Sequence, residues 1–316
     1  MTDDELPARV SRLDPETMLA ELNRRTGAGM RLLGRADHGE VGAAFVSWPD
    51  GREGVLTRSA AAMQELERIG MLLGRAADAG LPVPRYQTIV DLGTDRAIVQ
   101  QRLPGSVPSR VDDALVEQLV EVADQWAGQG FGAPELDLHL SSSGPGFCLH
   151  ETLANYQDRS RLLLQRVREI GRSAGIEEGD DLVHLDFHPA NVLVADGRIS
   201  GVIDWDGIGR GDRRAAYVTL TFDLSFGSQF RPEYDGLGGG GWKVVLGPLA
   251  RAPIERVRRW WAHMALRQVD WTIRHGYPSE VIDFYLDLGS DGLDVLAAEP
   301  ADLVDRLHRL CDPTGR

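Results

Sequence analysis

At 316 residues, 42% hydrophobic and 26% charged, the chain has the composition of a globular protein with ample length for a buried core and one large or two moderate domains. Its net charge of −14 disfavours a nucleic-acid partner, because binding phosphates takes a basic face. No run of about 18 apolar residues suits a membrane span, Met1-Thr-Asp-Asp-Glu5 lacks a signal-peptide pattern, and Cys148 and Cys311 form neither a metal-like spacing nor a disulfide framework, so a cytoplasmic setting without a membrane partner is expected.

In chain order, Asp14 is placed to cap a helix over 15–26, with Pro15 in its first turn and Gly27 and Gly29 ending it. Apolar runs at Met30–Leu33 and Ala43–Trp48 flank a glycine-containing loop, 34–42, and after the turn signal Pro49-Asp-Gly51 a third strand is expected over Gly54–Arg58. Met63, Leu66, Ile69, Leu72 and Leu73 recur at helical spacing and predict a helix over 59–79, stopped by Leu81-Pro-Val-Pro84. Strands over Gln87–Val90 and Arg96–Leu103 follow, before Pro104-Gly105 breaks the pattern. Further on the periodicity turns helical: helices are expected over 112–128, 151–170, 253–275 and 278–297, with a strand–loop–strand unit at 182–206. The glycine-rich 232–241 reads as a flexible loop. This order predicts an α+β chain with a small β-rich N-terminal lobe, 1–102, and a large α-helical lobe, 103–316. The first carries a net −2 and the second −12, so a cationic ligand is expected on the second.

His184-Leu-Asp-Phe-His-Pro-Ala-Asn191 is the most informative stretch. It leads into Val192–Val194, a turn at Asp196-Gly197, and a strand that delivers Asp204-Trp-Asp206, so a hairpin is expected to bring Asn191 and Asp204 near each other. Phosphoryl transfer needs such a set. A carboxylate and an amide oxygen are hard ligands for Mg²⁺, which neutralises the nucleotide phosphates. A second carboxylate orients the acceptor hydroxyl and takes its proton. The spacing assigns Asp186 as that base and Asn191 and Asp204 as metal ligands. A zinc hydrolase built on His184, Asp186 and His188 is a weaker alternative, with no remote ligand motif to complete it.

Residues 183–206 resemble the catalytic core of the aminoglycoside phosphotransferase family, whose loop commonly reads His-Gly-Asp-x-His-Pro-x-Asn and whose metal motif reads Ile-Asp-Trp. His184, Asp186, His188, Pro189, Asn191, Ile203, Asp204 and Trp205 match; Leu185 replaces the glycine. The resemblance implies a bilobal protein-kinase-like fold and an ATP- or GTP-dependent small-molecule kinase, with His184 as a scaffold of the catalytic loop. It also implies a glycine loop over the phosphates, for which Gly34, Gly39 and Gly42 are candidates, and a hinge at Gln101-Arg-Leu103 whose backbone pairs with the purine. The family's third-strand lysine is missing, because Lys243 is the chain's single lysine. Arg58 is the substitute expected on that strand, with Glu67, or its neighbour Glu65, as its helix partner.

Family acceptor sites use carboxylates of the helical lobe to bind ammonium groups. Asp206, Asp270 and Asp283 are the candidates here, with Asp223, Glu233, Asp235, Glu280 and Asp287 behind them. Trp260, Trp261, Trp271 and Tyr277 read as core more readily than as stacking surfaces. After the metal motif, Gly211-Asp-Arg-Arg-Ala-Ala-Tyr-Val218 departs from the family's Gly-Asp-Pro-x-x-Asp-Leu-Ala. The expected acceptor is an aminoglycoside-like or other antibiotic. An ordinary metabolite such as choline, homoserine or a sugar is the enzymatic alternative, and a non-catalytic pseudokinase is the alternative of another class.

Overall fold

The computed structural model describes residues 12–36, 42–173 and 179–312. In chain order the elements are α1 (Pro15–Thr26), β1 (Arg31–Arg35), β2 (Ala44–Ser47), β3 (Glu53–Ser59), α2 (Met63–Asp78), β4 (Tyr86–Asp91) and β5 (Arg96–Gln101). Then come α3 (Asp113–Asp124), α4 (His150–Tyr156), α5 (Asp158–Ser173), β6 (Asp181–His184), β7 (Val192–Ala195), β8 (Arg198–Val202) and β9 (Ile208–Gly211). Helices α6 (Ala215–Phe230), α7 (Gly239–Ala250), α8 (Ile254–Arg274), α9 (Ser279–Ala297) and α10 (Leu303–Cys311) complete the chain. No helix among the described residues is long and apolar enough to cross a membrane.

The chain forms two compact units. One holds the described residues up to 106 together with 192–206, and the other holds 107–191 and 207 onward. The first is an antiparallel sheet in the order β1-β2-β3-β5-β4. Asp14 caps α1 by accepting from the Thr17 N–H at 3.2 Å. The helix lays Leu19 and Leu22 on a core of Met30, Ala44, Val46, Leu56, Ala97 and Val99. Helix α2 starts later than its periodicity predicts, because β3 keeps pairing with β5 through Ser59.

The hairpin β7–β8 also belongs to this first unit, although it lies deep in the second half of the sequence. Ser106 and Val194 exchange backbone hydrogen bonds at 2.8 and 3.2 Å, the Val202 N–H donates to Pro82 at 2.7 Å, and Ser200 Oγ donates to Pro104 at 2.6 Å. A boundary at residue 102 on the sequence thus becomes one at 106, with a second crossing of the chain at 192–206.

In the second unit, Asp112 caps α3 by accepting from the Leu115 N–H at 3.0 Å. The single helix expected over 151–170 is two, broken where Ser160 Oγ bonds the Gln157 N–H at 3.0 Å and the Leu153 carbonyl at 2.7 Å. The glycine-rich 232–241 is a 3-10 turn, Pro232–Tyr234, followed by the start of α7. The glycines are there for close approach. A Cβ on Gly240 would meet Asp113 Oδ2 at 2.5 Å, and the Gly238 N–H donates to the same carboxylate at 2.6 Å. Trp260 and Trp261 are buried in α8, as read, whereas Trp271 is 36% exposed and stacks on His275 with centroids 3.7 Å apart. The motif departure after Gly211 is a salt-bridged corner. Buried Asp212 accepts from Arg214 Nε at 2.9 Å, and Arg213 joins Asp124 at 3.0 Å to Asp181 at 3.2 Å.

Candidate active site

Strand β6 pairs with β9 and ends at His184, which is fully buried. Beyond it the side chains alternate. Phe187 is buried edge-on against Trp126, with centroids 4.7 Å apart, and Leu185 is buried as well. Asp186 and His188 therefore face the other way, and Asp186 keeps 30% of its side chain exposed. His184 Nδ1 accepts from the Asp186 N–H at 3.0 Å, a bond that ties the loop to the end of β6. The 3-10 turn Pro189–Asn191 then folds Asn191 back: its Nδ2 donates to the Asp186 carbonyl at 2.8 Å and lies 3.2 Å from Asp186 Oδ2 and 3.1 Å from His188 Nε2. With the amide nitrogen turned into the loop, Oδ1 is the end left for a hard cation.

Two residues far along the chain complete this constellation. Arg267 on α8 places Nη2 2.9 Å from Asp186 Oδ1 and donates from Nη1 to the Leu185 carbonyl. Asp223 on α6 sets Oδ1 3.9 Å from His188 Nδ1 and accepts from the Tyr234 hydroxyl at 2.6 Å on Oδ2. Burial alone would raise the Asp186 pKa. Arg267, with His188 and His184, outweighs it and holds the carboxyl well below the usual carboxylate range. Burial would likewise lower His188, but Asp186 and then Asp223 raise it above the ordinary histidine value. At neutral pH Asp186 is thus an anion with a fixed cation on one oxygen.

In the sheet-bearing unit, β7 pairs Val192 with Val202, so Asn191 immediately precedes the first paired residue and Asp204 follows the last by two. Trp205 anchors that end: it is buried, and its Nε1 donates to the Val202 carbonyl at 2.8 Å. Asp204 is exposed with φ 63°, a left-handed conformation that aspartate tolerates better than most side chains. Asp206 is exposed beside it, and after burial, the charges of Asp206 and Asp204 raise the Tyr86 hydroxyl pKa. The exposed Asp204 carboxylate is, by donor chemistry, a hard ligand of the kind that suits Mg²⁺.

Other expected site residues fall differently. Arg58 forms an ion pair with Asp95 at 3.7 Å, and Glu67 and Glu65 are exposed on α2, so the expected pair with Glu67 is replaced by one across the β4–β5 turn. The Gln101 N–H is already bonded to the Arg85 carbonyl at 2.8 Å, and the Leu103 side chain packs over Gly201. Gly42 has φ 80°, as a glycine turn requires, and Gly39 lies outside the described residues. Asp270 is 1% exposed and takes two hydrogen bonds from Arg274, so it is a buried structural acid rather than an open one. Asp283 is held by Arg159 at 2.9 Å on α9. Among the described residues no three His, Cys, Asp or Glu side chains are gathered to hold a metal ion.

The model of the phosphotransferase enzyme family matches residues 42–252. The chain belongs to that family. No curated protein sequence matches it. Among solved structures it is similar to aminoglycoside phosphotransferase APH(4)-Ia, at 18% identity and TM-score 0.60 over 91% of this chain and 100% of that one. A thermostable mutant of that enzyme, in ternary complex with AMP-PNP and hygromycin B, matches at 20% identity and TM-score 0.59 over 89% and 98%. The aminoglycoside-3'-phosphotransferase of type VIII matches at 19% and 0.52 over 79% and 98%. The fold of this family member is protein-kinase-like, and the chain is a small-molecule kinase. Arg267 escaped the sequence reading because it lies tens of residues from the motif, on a helix whose local pattern reports only burial, and Asp223 stood there only as one of several acceptor-side acids.

Proposed function

We propose that this phosphotransferase moves the γ-phosphoryl group of ATP or GTP, with Mg²⁺, onto a hydroxyl of an aminoglycoside-like or other antibiotic. The observation that carries this is the loop arrangement of Asp186, held by Arg267 and Asn191 with its carboxylate facing away from the core. Asp186 Oδ2 accepts the hydrogen bond of the acceptor hydroxyl, orients it in line with the phosphorus, and receives its proton as the new P–O bond forms. The bridging P–O bond breaks and its electron pair leaves on the nucleoside diphosphate. Asn191 and Asp204 are the residues that would ligate Mg²⁺, which would supply charge neutralisation for the phosphates. Arg58 contributes a cation on the nucleotide side. The antibiotic class rests on fold relatives whose solved complexes contain hygromycin B.

The test is to incubate the chain with Mg²⁺, each nucleotide and a panel of antibiotics and small alcohols, and to look by mass spectrometry for one added phosphoryl group. Asp186→Ala is expected to lower turnover by roughly 10²–10⁴-fold while nucleotide binding survives. Turnover at the native rate would remove Asp186 from the mechanism. Nucleotide binding without transfer to any hydroxyl would favour the non-catalytic reading, which the ion pair of Arg58 with Asp95 also supports.

A further inference from the structure

We infer that Arg267 is a positioning residue of the catalytic loop, one that fixes which oxygen of Asp186 meets the acceptor hydroxyl. This rests on the kinase reading above for its consequence, but not for its geometry. The guanidinium engages two consecutive acceptors of the loop, the Leu185 carbonyl from Nη1 and Asp186 Oδ1 from Nη2 at 2.9 Å. A planar fork of this kind sets orientation as well as distance, which a lysine's single ammonium does not.

Both ends of the clamp are rigid. Arg267 follows the buried run Trp260 to Leu266 on α8, so its backbone moves only with the helix. The Leu185 carbonyl is held a second time, by Thr219 Oγ1 of α6 at 3.2 Å, and the Leu185 side chain is buried. Two helices thus grip the residue before the base. On Asp186 itself, Oδ1 belongs to Arg267, while Oδ2 lies 3.2 Å from Asn191 Nδ2. Rotation of the carboxylate would break the bond to Arg267, so Oδ2 is the oxygen presented.

The test compares Arg267→Gln and Arg267→Lys with the native chain by hydrogen exchange over the 184–191 peptide, thermal unfolding, nucleotide affinity, and turnover of an acceptor found in the panel. Arg267→Gln is expected to speed exchange in that peptide and to lower kcat roughly 10²-fold, the scale of a misplaced reacting group, with nucleotide affinity and acceptor KM within a few-fold of native. Arg267→Lys should restore part of kcat. Unchanged loop exchange in Arg267→Gln overturns the inference, and so does faster exchange throughout the molecule with equal losses in both variants. If the native chain transfers phosphate to nothing, the kinase reading fails, and the exchange of the 184–191 peptide still decides whether Arg267 positions the loop.

Discussion

Asp270 takes hydrogen bonds from Arg274 Nε at 2.8 Å and Nη2 at 3.0 Å, one helical turn on, while Asp186 on the catalytic loop has Arg267 on Oδ1 at 2.9 Å, only the longer 3.2 Å contact of Asn191 Nδ2 on Oδ2, and 30% of its side chain exposed. The two acids differ in what their second oxygen is free to do. Asp270→Asn keeps the shape but removes the charge opposite Arg274, at a cost of about 1–3 kcal/mol in unfolding free energy. It should leave acceptor KM unchanged. Denaturant unfolding and steady-state kinetics check this together: a raised KM at native stability would return Asp270 to the acceptor site. The active-site motif was legible because His184, Asp186, His188 and Asn191 act through bonds spanning two to five residues, so their spacing encodes their geometry. Arg267 was not, because a bond across 82 residues leaves no local trace.

At the scale of elements, helices with one apolar stripe were legible and the others were not. α1, α3 and α9 bury one face and show it in their period. α6 buries twelve of its sixteen residues, so its sequence is apolar all round and carries no 3.6-residue rhythm. α7 opens on glycines that the approach of Asp113 requires, and these read as a loop. Helix α9 uses glycine the same way against α8: a Cβ on Gly292 would sit 2.2 Å from Cε2 and Nε1 of buried Trp261, whose Nε1 donates to the Leu288 carbonyl at 3.2 Å. An exposed helical Gly→Ala change gains about 1 kcal/mol. Here the methyl must displace a packed indole, so Gly292→Ala is expected to destabilise by about 1–3 kcal/mol instead. A rise in the denaturation midpoint would show that the α8–α9 seam has room.

For the molecule as a whole, acid stability depends on which buried groups refuse or demand a proton. Burial lowers His263 to about 3, against the partial support of its hydrogen bond with the Leu138 carbonyl at 2.8 Å, with Arg267 and His139 adding repulsion and Asp137 opposing them. Burial lowers His150 too. In the unfolded chain each takes up a proton near the ordinary histidine value of 6.5, whereas the native state does not, so stability falls as pH drops below 6.5 and, for His263, keeps falling to about 3. Asp186 and Asp212 are held low, so their contributions are present above the usual carboxylate range and are lost only as pH falls beneath it. His188 runs the other way: its raised value stabilises fully below 6.5 and fades as pH rises through the folded value. Stability should therefore peak near neutrality and decline on the acid side before the carboxylates titrate. His263→Gln isolates the histidine part, because glutamine can still donate to the Leu138 carbonyl but has nothing to protonate. Denaturant unfolding at a series of pH values should show the native slope between pH 6 and 4 reduced in that variant by up to about 1.4 kcal/mol per pH unit, the value of one proton. Parallel slopes in the two proteins would mean that His263 protonates in the folded state as readily as in the unfolded one.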